Sequence, residues 1–165
     1  IGTREPSLRQ VQDLYRVIPT LPKSWTLHTG AAQGIDQLAA LWWMTQSGKV
    51  FLHLPWWGYE LPWINEILHR FRGQIELDDT IEMSDLNMAK LHRSEQAVWS
   101  EAVEKLHARN VRIVAPCSIV HAWPGMKQWG GGTAMGIKVA IHLGKNPDAH
   151  DEWNRKWEDC GCPPF

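Results

Sequence analysis

Residues 50–55 read Val-Phe-Leu-His-Leu-Pro, a short run that is apolar almost throughout. Successive side chains of a strand point to opposite faces, so a strand with no polar face has no side to offer to water. Such a strand belongs inside a parallel sheet covered by helices. The flanking sequence supplies those helices. Leu8, Val11, Leu14, Tyr15 and Ile18 recur at a helical period, with Pro6-Ser7 as a start signal and Pro19 and Pro22 as the stop. Residues 35–46, 61–71 and 133–143 read as further helices, and 84–107 as a long amphipathic helical region broken once. Ile1, 25–28, 74–77 and 119–123 complete the set of strands. Strand and helix alternate, which predicts an α/β fold: a Rossmann-like open parallel sheet with helices on both faces.

In an open parallel sheet, ligands bind outside the carboxyl ends of the strands. Three Gly-containing turns fall at that edge: residues 1–6 (IGTREP), 28–36 (HTGAAQGID) and 123–133 (WPGMKQWGGGT). Glycines there let backbone N–H groups approach an anion, and the following helix adds the positive end of its dipole. The same glycines also serve turns that need positive φ. None of the three matches a triphosphate loop or a dinucleotide fingerprint. The aromatic stretch 54–63 (LPWWGYELPW) follows a strand at the same edge, where Trp56, Trp57, Tyr59 and Trp63 are placed either to stack on a base or to pack on the body.

Order and spacing together resemble the SLOG superfamily. The resemblance rests on Gly2-Thr3-Arg4 after a strand, TGAAQGIDQLAA at 29–40, Arg109-Asn110, AWPG at 122–125 and GGGT at 130–133, and it covers about residues 1–144. That group includes the DNA-processing protein A domain, phosphoribohydrolases that release cytokinins, and sensor domains for nucleotide-derived signals. The resemblance implies that Gly2, Thr3 and Arg4 meet a phosphate or sugar edge. It implies that Thr29, Gly30, Gly34 and Asp36 form a second loop, with Asp36 also suited to capping its helix. Gly131, Gly132 and Thr133 would hold a phosphate, and Arg109 would meet the same anion. Trp56 joins this set as a stacking candidate.

One departure bears on catalysis. The phosphoribohydrolases carry a Glu three residues after the loop Thr, and Gly136 stands there in this chain. Cleaving a glycosidic bond calls for a carboxylate, leaving Asp36, Glu5 or Glu95 as substitutes. The expected function is therefore binding, for sensing or sequestration, of a phosphorylated nucleotide or nucleotide-derived signal. A nucleotide hydrolase and a single-stranded DNA binder are the alternatives.

Charge and cysteine usage narrow the partners. Lys and Arg number 17 against 18 Asp and Glu, for a formal net charge of −1. This balance argues against nucleic acid or an anionic membrane as the partner. Three cysteines form no disulfide framework, which suits a reducing cytoplasm. Eight scattered histidines give no metal motif, and neither metal nor cofactor is expected. Eleven tryptophans suit core and interface packing. No apolar run is long enough to span a bilayer, and the opening IGTREPS has no signal-peptide pattern. A Gly-Thr-Arg turn normally follows a buried strand, so that strand's earlier residues are expected to lie outside this sequence. Residues 145–165, which lack strand character, are expected to pack on the body through Trp153, Trp157 and Phe165 or to be mobile. The 84–107 region with Trp99 is the expected surface for a homo-oligomer.

Overall fold

The computed structural model describes residues 1–93, 97–125 and 131–150. The buried run settles where expected. Strand β2 (Lys49–His53) lies between β1 (Thr26–Gly30) and β3 (Ile75–Asp78), and both neighbours are parallel to it. Val50 and Leu52 are fully buried and His53 nearly so. Helices α2 (Ile35–Thr45) and α5 (Glu101–Val114) both pack on β1 and β2. A second parallel ladder joins β4 (His121–Ala122) to β5 (Asp148–Ala149). Helices α1 (Leu8–Val17), α3 (Leu61–Arg70), α4 (Met83–Leu91) and α6 (Gly132–His142) complete the α/β arrangement.

Local chemistry explains several boundaries. Ser7 accepts from the backbone N–H of Gln10 at 3.2 Å while the Gln10 side chain accepts from the Ser7 N–H at 3.0 Å, a reciprocal cap that starts α1. After α2, the Trp43 indole donates to the Lys49 carbonyl at 2.9 Å, fixing the turn into β2. Helices α1 to α3 enclose one apolar core with β1 and β2, centred on Leu14, Ile35, Trp43, Leu52 and Ile67. A second core around Val114, Val139 and Ala140 joins α4, α5 and α6. Arg112 ties α5 to β3 and α4 through Asp78, Asp85 and Glu82.

The 84–107 region is broken once into two helices, as expected. Two expectations change. The second helix runs on to Val114, taking in the largely β-branched stretch Val111–Val114 that sequence left unassigned. Burial of Val111, Ile113 and Val114 overrides the weak helix propensity of such residues. The segment after Gly144 also contains a strand. The Asp148 N–H donates to Val120 and the His150 N–H to Ala122, both at 2.8 Å, so residues 148–150 extend the sheet. A strand this short carries no apolar alternation to reveal it. Trp153, Trp157, Cys160, Cys162 and Phe165 lie outside the described residues.

The two ladders meet at the first turn. Gly2 bridges Trp123 in parallel, the Thr3 N–H donates to the Trp123 carbonyl at 2.8 Å, and the Thr3 carbonyl accepts from the Ile35 N–H at 3.1 Å. The approach is close enough to demand glycine at Gly34, whose φ is +96° and where an added Cβ would run into the Thr3 and Arg4 carbonyls. Gly73 also has positive φ, at +83°, with open space around it. Gly34→Ala is therefore expected to cost about 1–3 kcal/mol beyond the loss at Gly73→Ala, because overpacking adds to a shared backbone strain. Urea unfolding of the two variants compares them directly.

Candidate functional site

The first turn, the start of α2, one face of α5, Pro124-Gly125 and the start of α6 surround a cavity of about 510 Å³. Its size lies within the usual range for small-molecule sites, about 300–1,000 Å³. Of the residues singled out in the sequence, Gly2, Thr3, Arg4, Asp36, Arg109, Gly131, Gly132 and Thr133 line it, and Glu5 does too. Thr29, Gly30, Gly34 and Trp56 are not part of the lining. Thr29 is buried in β1. Gly30 leaves room for Arg109 and Asp36, since a Cβ there would collide with both side chains. Gly34 holds α2 against the first turn. Trp56 packs against the α1–α3 core and meets Tyr59 edge-on at 5.2 Å. The aromatic stretch instead reaches the site's arginines through Tyr59: its hydroxyl accepts from Arg4 at 3.4 Å, and the Arg109 guanidinium lies 5.9 Å from its ring centroid. Glu95 and Gly130 lie outside the described residues.

Arg109 dominates the electrostatics. Its side chain is 7% exposed and sits 3.9 Å from the carboxylate of Asp36, itself 3% exposed. That separation balances charge without making a hydrogen bond. Arg109 donates to the Asn110 side-chain oxygen at 3.0 Å, and Asn110 donates to the Gly132 carbonyl at 2.9 Å, which ties α5 to the mouth of α6. Among the described residues, the Nε and Nη1 of Arg109 and the Oδ1 of Asp36 have no protein partner. Buried donors on a cation are costly to leave unmet, so this corner has unspent capacity for an anion.

The two glycine-opened helices differ. Asp36 occupies the first turn of α2 and answers the positive end of that helix. The first turn of α6 holds no acidic residue, and Gly131, at φ +90°, provides no side-chain cap. Among the described residues, no side chain caps the first N–H groups of α6, and Gly131 to Thr133 lie at the cavity.

Asn110 and His107 line the cavity as well, and sequence reasoning had not made them site residues. Asn110 was visible only as the neighbour of Arg109. His107 fell at the end of the helical region read from the sequence and carried no signal of its own, because the neighbours it meets are set by packing. Its ring stacks on Trp99 at 4.2 Å.

Gly136 explains itself structurally. It is buried, and an added Cβ would overlap the Ile1 side chain. A larger side chain there would have to displace the tip of Ile1, so the position serves the packing of α6 on the first strand.

No family model matches the chain. No curated protein matches it either. Among solved structures, the chain resembles the X-ray structure of DNA processing protein A (DprA) from Streptococcus pneumoniae, with a TM-score of 0.66 at 14% identity. The likeness covers 98% of this chain and 55% of that one, so the chain spans about half the length of its structural neighbour. It shows a Rossmann-like fold of the same kind. Among the described residues no helix is long and apolar enough to cross a membrane.

The buried histidines give the fold a pH signature. Burial first, and then the field of Arg109, push His107 down to about 4. Burial and the neighbouring His28 do the same to His53. In the unfolded chain each imidazole takes up a proton near 6.5, whereas the native one waits until about 4. The unfolded state thus binds more protons between those values, and stability falls as pH drops through that window. Urea midpoints are expected to be flat above 6.5, to decline towards about 4, and to decline less steeply in His107→Gln.

Proposed function

We propose that the cavity captures a phosphorylated nucleotide or nucleotide-derived molecule by its phosphate. The observation that carries this reading is Arg109, a buried guanidinium in the cavity wall with Nε and Nη1 unpartnered. The uncapped start of α6 supports it, placing Gly132 and Thr133 where backbone N–H groups and a hydroxyl meet the same anion. Arg4, whose guanidinium reaches Tyr59, supplies a second cation at the rim. Capture is favoured over cleavage because the third position after the loop threonine is a buried glycine, Gly136, with no carboxylate to offer.

A second reading has one observation behind it: the structural neighbour is a DNA processing protein. On this reading the chain binds single-stranded DNA. The formal charge of −1 supplies little of the sequence-independent attraction such binding draws on.

Mass spectrometry of small molecules released by heat from freshly purified protein separates these readings. An intact nucleotide is the expected result. Arg109→Ala is expected to weaken its rebinding by about 10–100-fold, the value of a charge-assisted hydrogen bond. Thr133→Val should weaken it less. A free base with a ribose phosphate would show cleavage. No released nucleotide, together with DNA binding that collapses steeply as salt rises, would favour the second reading.

A further inference from the structure

We infer that His121, Asp148 and His150 form a binding site for a first-row divalent cation of the zinc type, clipping β5 to β4. None of the three lines the cavity described above.

The parallel ladder builds the site. His121 is the register partner of Asp148, so the two side chains share one face of the pair. His150 lies two residues beyond Asp148 and returns to that face. The donor atoms converge: His121 Nδ1 is 2.8 Å from His150 Nε2 and 3.5 Å from Asp148 Oδ2, and the last two are 3.6 Å apart. Zinc bonds to nitrogen and oxygen of about 2.0–2.2 Å at tetrahedral angles require donors spaced by about 3.3–3.5 Å. Both spacings to the carboxylate already come close to this. The nitrogen pair needs to open by only a few tenths of an ångström. Asp148 is 60% exposed, which leaves its side chain free to adjust and the fourth position open to water.

The surroundings orient the ligands as metal sites do. Asp13 of α1 lies 2.9 Å from His150 Nδ1 and accepts the Trp123 indole N–H at 3.1 Å. With its carboxylate at Nδ1, Asp13 leaves the Nε2 of His150 turned towards His121 and Asp148. This is the carboxylate–histidine arrangement that orients metal-bound imidazoles. Trp123 stacks on His150 at 4.4 Å and 11°, locking the ring plane. Two imidazoles and one carboxylate suit zinc and its neighbours in the first row, and not the oxygen-seeking calcium or magnesium.

The test strips the full chain of metal, equilibrates it with zinc, removes free ion and measures bound zinc per chain; cobalt supplies a parallel visible spectrum. About one zinc per chain is expected, with a tetrahedral cobalt spectrum and a zinc-dependent rise in melting temperature. His150→Ala and His121→Ala should abolish all three. Asp148→Asn, at a position whose side chain is 60% exposed, should weaken binding. Asp13→Asn, acting only through His150, should weaken it by about 10–100-fold. Melting of each variant without metal controls for folding. Absence of stoichiometric zinc in the wild type would overturn the site. So would binding that survives His150→Ala and Asp148→Asn, or that is lost in Cys160→Ser/Cys162→Ser while those variants retain it.

Discussion

The first turn holds the architecture together. Residues 1–3 form hydrogen bonds to Trp123 on one side and to the start of α2 on the other, joining two parallel ladders that share no strand. Each bond is worth only about 0.5–1.5 kcal/mol net. Their importance comes from what they align. The same few residues seat Gly2 on Ile35, bring Thr3 and Arg4 to the cavity, and set the distance between the openings of α2 and α6. A turn with so many neighbours leaves no space for side chains, and the glycines at 2, 34 and 136 answer that shortage.

Arg109 sets the character of the site. A cation in a buried wall costs free energy unless it is matched, and Asp36 at 3.9 Å matches its charge but not its donors. Asp36 is already engaged with the positive end of α2. The pair is thus neutral overall yet under-bonded, and the adjoining mouth of α6 is positive and uncapped. On the reading proposed above, this corner receives a compact anion such as a phosphate.

Much of this was legible because it depends on pattern. The apolar run at 50–55 fixed a buried parallel strand, the 3.6-residue repeats placed the helices, and the strand-then-glycine turns located the cavity edge. Other parts depended on tertiary packing. Val111 to Val114 are β-branched or charged and look strand-like, and only burial between the helices makes them the end of α5. The helical continuation brings Arg109 and Asn110 to the wall that His107 already lines. In the same way, Trp56 and Tyr59 are equivalent as aromatic residues of one loop, and the choice of Tyr59 as the neighbour of both arginines is made by the fold.

The histidines illustrate the same limit in another form. Metal motifs are recognised in sequence when ligands sit a few residues apart on one element. His121 and His150 are 29 residues apart, and they meet because two-residue strands pair in a register set by backbone hydrogen bonds at Val120 and Ala122. Once that register exists, alternation puts His121 and Trp123 on one face of β4, and Asp148 and His150 on the matching face beside it. Helix α1 then lays Asp13 across both. A segment that reads as an unstructured tail thus gains a strand and a set of polar partners together. Residues 148–150 are held by backbone pairing to β4, by Ala149 against Ala122 and Ile137, and by the contacts of His150 with Asp13 and Trp123.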